Sequence, residues 1–85
     1  MAEEQVGVVI HFFDKIHVAA VRVTDGEIKV GDTIHIKGHA TDFTQTIDSI
    51  QMEHASVTTA RPGDDVGIEV AETVREHDSV YKVVD

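Results

Sequence analysis

The six histidines are the first candidates for chemistry in this sequence, because imidazole binds metal ions and titrates near neutral pH. His35 and His39 lie four residues apart, which suits one helix face but separates them by about 13 Å on an extended strand. A two-residue hairpin at Asp14-Lys15 would turn His11 and His17 to opposite faces of a sheet. We therefore expect no metal site and interpret the histidines as solvent-facing strand residues. A metal-binding or pH-responsive surface is an alternative hypothesis, since protonating all six would change the formal charge from -9 to -3.

One segment has the glycine spacing of a phosphate-binding loop. Residues 26–33 read GEIKVGDT, but Asp32 stands where such a loop carries a lysine for the β- and γ-phosphates. No helix is predicted to follow, so no helix N-terminus would face a phosphate. We expect no nucleotide site and interpret the segment as a connection between strands, with Ile28 and Val30 packed inward.

Groups for covalent or acid–base catalysis are scarce. The sequence has no cysteine, and none of its serines lies in a G-x-S-x-G turn; they are Ser49, Ser56 and Ser79. Asp64 and Asp65 are adjacent, so they would point apart in an extended chain, and they fall in a predicted turn. We expect a protein that is not an enzyme and uses no cofactor.

The charge balance restricts the partners. The 85 residues carry 16 acidic and 7 basic side chains, and the resulting charge of -9 opposes binding to nucleic-acid phosphates. No apolar run approaches the ~20 residues of a membrane-spanning helix, and the first residues lack the basic charge of a secretory signal. We expect a cytoplasmic protein with no disulfide and no membrane contact.

Apolar residues recur at every second position, which indicates an all-β chain. Turn signals separate the alternating runs and predict strands near residues 5–13, 16–23, 33–38, 43–53, 65–71 and 79–84. Closing them into a small six-stranded β-barrel removes exposed edges; we predict one domain over residues 1–85, ordered from about 5 to 84. Ile47 lies on one parity of the fourth strand and Ile50 on the other, so a β-bulge is predicted near Asp48-Ser49.

Two adjacent aromatic residues, Phe12 and Phe13, end the first predicted strand. Alternation places one ring inside the barrel and the other outside. The outer ring could anchor a partner or cover the mouth of the barrel.

Four segments together resemble the second domain of translational GTPases such as elongation factor Tu. Their sequences are GEIKVGDTIHIKG at 26–38, IDSIQM at 47–52, ARPGDDVGI at 60–68 and VREHDSV at 74–80. His77 stands where the family usually has glycine, but order and spacing hold from about Val6 to Val83. The resemblance implies the six-stranded translation-protein β-barrel, here without the GTP-binding domain that precedes it in the multidomain factors.

In that family the barrel grips the tRNA end partly through a glutamate and an arginine, and the resemblance places Gln51 and His54 at those positions. The early family stretch R-G-T-V-V-T-G is replaced by KIHVAAV at residues 15–21. The resemblance therefore implies a contact surface on the barrel rim, and the candidate partner-binding residues are Phe12, Phe13, His17, Gln51 and His54.

Besides the histidine surface, two functions are consistent with the sequence. The first is a non-enzymatic binding module that contacts a protein partner or the translation machinery, with tRNA or rRNA implied by resemblance and opposed by charge. The second is an accessory barrel acting in trans with a GTPase or peptidase catalytic chain, because similar barrels are appended to GTPases and to some collagenase-like peptidases.

Overall fold

The structure, a computed structural model, describes residues 2–84, and these form ten β-strands without a helix. In chain order the strands are β1 (Ala2–Phe13), β2 (Val18–Val23), β3 (Ile28–Lys29), β4 (Thr33–Lys37), β5 (Asp42–Thr46), β6 (Ile50–Met52), β7 (Ala55–Val57), β8 (Thr59–Ala60), β9 (Asp65–Glu69) and β10 (Ser79–Val84). No segment of residues 2–84 forms a helix that could cross a membrane. The all-β prediction is confirmed.

Eight strands form one antiparallel sheet in the order β5-β4-β10-β1-β2-β9-β6-β7, and β3 pairs with β8 in a separate ribbon. At one end of the sheet order, the amide of Gly31 donates to the carbonyl of Ile47 and the amide of Ile47 donates to the carbonyl of Asp32, just beyond β5. At the other end, β8 follows β7 after the single residue Thr58, whose carbonyl accepts from the amide of Val30 and so extends the ribbon. The ribbon thus connects the two terminal strands.

The core follows from the alternation of apolar residues. On β2, Ala19, Val21 and Val23 are fully buried, and the same parity buries Ile34 and Ile36 on β4. Burying one such valine or isoleucine contributes about 1.5–3 kcal/mol, so this single apolar face is a main source of stability. The side chains at the alternate positions of these strands face the surface.

The predicted bulge near Asp48-Ser49 is not formed. Residues 47–49 lie outside the strands, because the chain here leaves its pairing with β4 and begins pairing with β9. Ile47 and Ile50 are nevertheless both buried, as the bulge was predicted to achieve. The register shifts are instead in β1, between Gln5 and Gly7 and between Val9 and His11.

Strand β1 also begins earlier than expected. Glu3 pairs with Val83 and Glu4 with Lys82, so β1 starts at Ala2 and not near residue 5. Residues 2–4, expected to lie before the ordered part, are therefore paired with β10, and Met1 lies outside the described residues.

A histidine joins β1, β4 and β5 on the outer surface. His35 contacts Asp42 through Nε2 at 2.5 Å and Glu3 through Nδ1 at 2.8 Å. Carboxylates only accept hydrogen bonds, so both ring nitrogens must carry protons to donate to them. The bonds to Asp42 and then Glu3 raise the pKa of His35 above its ordinary value, although partial burial opposes the rise.

We expect this contact to make stability depend on pH. Since the pKa of His35 is higher in the folded state, its contribution is complete below about pH 6.5 and is lost as the pH rises through the raised pKa. Urea unfolding of the wild type and His35→Gln at about pH 6 and about pH 8.5 should show a smaller wild-type advantage at the higher pH. A constant difference would show that the imidazolium does not stabilise the fold.

Candidate binding groove at the hairpin tip

A groove crosses the outer face of β2, β9 and β6. Ala20 on β2 lies directly opposite Gly67 on β9, and Gly67 lies opposite Gln51 on β6. The neighbours of Gly67 along β9, Val66 and Ile68, are buried in the core, so the position of Gly67 faces outward. The groove exists because two adjacent outward positions carry the smallest side chains.

The connection between β1 and β2 forms one wall of this groove. Phe13 and Ile16 are 46% and 64% exposed, a large exposure for apolar side chains, and Val18 continues the wall into β2. The groove has a volume of about 380 Å³, within the usual range of ligand sites. A second depression of about 260 Å³ around the connection shares Phe13 and Ile16, so the apolar surface is continuous over the hairpin tip.

The opposite wall consists of Gln51 and the turn between β6 and β7. Glu53 and His54 form this two-residue turn, in which Met52 pairs with Ala55. Three of the five predicted site residues, Phe13, Gln51 and His54, thus line one groove, although they come from distant parts of the sequence. Their role in binding stays a prediction.

The other two predicted residues lie apart from the groove lining. Phe12 packs against the core, and its ring meets that of His17 edge-on at 5.3 Å between centroids. His17 Nδ1 donates to the carbonyl of Val70 at 2.9 Å, and the amide of Val70 donates back to the carbonyl of His17. A direct contact of Phe12 or His17 with a partner stays a prediction; in this structure they hold the base of the hairpin connection.

The two-residue hairpin considered at Asp14-Lys15 is not formed. Phe13 pairs with Val18, so the connection is four residues long and His11 lies opposite Ala20. His17 has a φ of 56°, a left-handed conformation that closes the longer loop. This extra length places Ile16 at the tip, where the sequence pattern alone did not identify it as a site residue.

The turn beside the groove is strained. Glu53 and His54 have φ angles of 51° and 66°, the left-handed region that two-residue hairpin turns require and that Asn-Gly normally supplies. A left-handed residue other than glycine costs roughly 1–3 kcal/mol, and such residues cluster at functional sites. The conformation holds a carboxylate and an imidazole at the mouth of the groove.

This strain predicts an unusual order of stabilities. His54→Gly should be more stable than His54→Ala by about 1 kcal/mol, because only alanine retains the steric cost of a left-handed residue. Chemical denaturation of the two variants measures the difference. Equal stabilities would mean that the turn relaxes and that the strain is absent in solution.

One end of the groove carries an ion pair. Arg22 lies opposite Asp65 and donates from Nε to Oδ1 at 2.9 Å and from Nη2 to Oδ2 at 3.3 Å. These hydrogen bonds hold the pKa of Asp65 below its ordinary value. The charge of Asp65 is therefore largely satisfied, whereas residues 2–84 provide no ion-pair partner for Glu53.

The other chemical candidates do not form sites. Asp32 Oδ2 accepts from the amide of Lys29 at 2.9 Å and lies 3.4 Å from Lys82 Nζ, so it closes the turn that resembled a phosphate loop. Ile28 is buried as predicted, but Val30 is 42% exposed and the prediction for it was wrong. Within the described part of the chain, no group of three histidines and carboxylates is arranged to hold a metal ion.

Among curated proteins, similarity extends over 78 residues, or 91% of this chain. An uncharacterised protease of Methanocaldococcus jannaschii is 36% identical, and a collagenase of Porphyromonas gingivalis is 35% identical. The chain spans only about a fifth of these relatives, 19% and 22% of their respective lengths.

Among solved structures, the C-terminal domain of a Geobacillus thermoleovorans protein assigned to the U32 peptidases has the same fold. The TM-score is 0.88 at 24% identity, and the match covers 95% of this chain and 93% of that domain. A selenomethionine variant of the same domain gives a TM-score of 0.85, also at 24% identity, over 91% of this chain and 96% of that one.

The pattern of one protein family, described as Elongation factor Tu domain 2, matches residues 17–80. This range contains all four segments on which the resemblance rests, and it contains strands β2, β6 and β9, which form the groove. The match confirms a domain of the translation-protein β-barrel type. Since the match covers most of the sequence, the chain belongs to the elongation factor Tu domain 2 family.

Proposed function

We propose that this domain is a non-catalytic binding module that docks on a peptidase catalytic region through the groove at the hairpin tip. The observation that carries the proposal is the exposed apolar wall of Phe13 and Ile16 beside a floor of Ala20 and Gly67. Aromatic and aliphatic anchors beside a small pocket are typical of protein interfaces. The proposal includes a cytoplasmic location, on the basis of the acidic, cysteine-free composition.

The comparisons support the choice of a peptidase as partner. The protease and collagenase relatives contain a segment like this chain together with about four times as much additional sequence. The Geobacillus domain of the same fold is the C-terminal part of its protein. A barrel whose groove is mainly apolar suits an accessory role beside a separate catalytic region.

A contact with the translation machinery is the second candidate, and membership of the elongation factor Tu domain 2 family favours it. The groove opposes it, because its lining contains Glu53 and Asp65, and Arg22 at one end of the groove is already bound to Asp65. A phosphate in this groove would meet the carboxylate of Glu53. Titration of the isotope-labelled domain with an acceptor-stem RNA at low salt should leave the amides of Gln51 and His54 unshifted.

Co-purification tests the proposal. Tagged wild-type protein, expressed in its own cells, should recover a peptidase chain of the collagenase type in stoichiometric amount. The double variant Phe13→Ser with Ile16→Ser should lose it, because both changes remove exposed apolar surface and leave the core untouched. Equal recovery with both forms, or recovery of ribosomes with the wild type alone, would contradict the proposal.

A further inference from the structure

The charge at the mouth of the groove suggests the chemistry of the segment that enters it. Glu53 is exposed, and residues 2–84 include no ion-pair partner for it. The other carboxylate of the lining, Asp65, is already bound by Arg22 through two hydrogen bonds. One carboxylate without an ion-pair partner in residues 2–84 therefore lines the same groove as the apolar floor.

The conformation of Glu53 argues that this charge has a use. The two-residue turn would be less strained with Asn-Gly, yet it holds glutamate at a φ of 51°. Its neighbours Met52 and Ala55 already pair across the hairpin, so the fold itself does not require a carboxylate here. Strained residues cluster at ligand contacts, and two of the four left-handed residues other than glycine in residues 2–84, Glu53 and His54, line this groove.

We propose that the groove binds a polypeptide segment in which an aliphatic or aromatic side chain stands next to a lysine or arginine. The apolar side chain lies over Ala20 and Gly67, between the walls formed by Phe13 and Gln51, and the cation lies against Glu53. This inference rests on the proposed function and adds the chemistry of the docking segment. The net charge of -9 favours the same partner, since it attracts basic segments over longer range.

A displayed library of random eight-residue peptides tests the inference directly. Selection on the wild type should enrich an apolar residue adjacent to Lys or Arg. Selection on Glu53→Lys should instead enrich an apolar residue adjacent to Asp or Glu, because the variant reverses the charge at the mouth and leaves the floor unchanged. Ala20→Leu should give no enrichment, whereas Ala40→Leu, in the turn between β4 and β5, should behave as the wild type.

A conservative variant makes the result independent of any folding defect. With the peptide selected on the wild type, Glu53→Gln should bind about three- to fivefold more weakly, as expected for one solvent-exposed ion pair, and added salt should reduce the difference. Dispersed amide spectra establish that each variant is folded.

Three results would overturn the inference: no enrichment on the wild type, enrichment without a cationic residue, or an unchanged charge preference in Glu53→Lys. Binding of an acceptor-stem RNA oligonucleotide in the groove would overturn it as well. If a peptidase chain still co-purifies through Phe13 and Ile16 while no charge preference appears, the proposed function stands and only this inference fails.

Discussion

The substitution Ala20→Leu should abolish docking at the groove and leave the fold intact. Ala20 occupies an outward position between buried Ala19 and Val21, so a leucine there adds its side chain to the groove and not to the core. Blocking the pocket of a central anchor typically costs 2 kcal/mol or more, which is roughly 30-fold in affinity. The yield of co-purified peptidase chain should fall by at least about tenfold.

The matched control is Ala40→Leu, which makes the same chemical change at an exposed position in the turn between β4 and β5. It should retain full recovery of the partner. If Ala20→Leu binds as well as this control, the groove is not the docking surface.

The substitution Gly7→Ala should cause a large loss of stability. A Cβ atom at Gly7 would lie 2.6 Å from the carbonyl oxygen of Arg22 and 3.1 Å from a methyl group of Val21. The oxygen belongs to the backbone of β2, so it cannot move aside as a flexible side chain would. Overpacking of this kind costs about 3 kcal/mol, and for a chain of this size the melting temperature should fall by roughly 12–24 °C.

Gly31→Ala is the control for this prediction. No atom lies within 4 Å of a Cβ placed there, and only its φ of 97° opposes alanine. We expect a loss of about 1 kcal/mol, measured by the same thermal and urea unfolding. A Gly7→Ala protein as stable as Gly31→Ala would show that β1 and β2 separate locally at little cost.

Much of the fold could be predicted from the sequence because alternation and turn residues are local signals. The alternation that includes Val21 and Val23 predicted the buried face of β2, and the turn residues at 61–64 predicted where β9 begins. The strand pairs β3–β8 and β6–β7 were missed, since strands of two or three residues are too short to show a period.

The errors share one physical origin, which is that pairing partners are set by tertiary structure. The parity change between Ile47 and Ile50 indicated an irregularity, but a bulge and a change of partner produce the same sequence pattern. The length of the hairpin was misjudged because Ile16 and His17 look like strand residues. They lie in the loop since the register pairs Phe13 with Val18.

The site was predictable in part. Resemblance identified Gln51 and His54, and alternation indicated that either Phe12 or Phe13 would be exposed. Ala20 and Gly67 were missed because a small residue carries no chemical signal until its neighbours across the sheet are known. A usable signal was present in the sequence, namely small residues on the outward parity of two strands that also carry buried aliphatics.

Photo-crosslinking from position 16 would identify the segment that docks at the hairpin tip. A benzoylphenylalanine in place of Ile16, at the exposed tip of the hairpin, should react in the protein's own cells with a basic, apolar segment of a peptidase catalytic region. The same group in place of Ala40 should give no such product, and Ala20→Leu should suppress the product at position 16. Equal products from positions 16 and 40, or a product at position 16 that contains RNA, would show that the groove does not dock a peptidase.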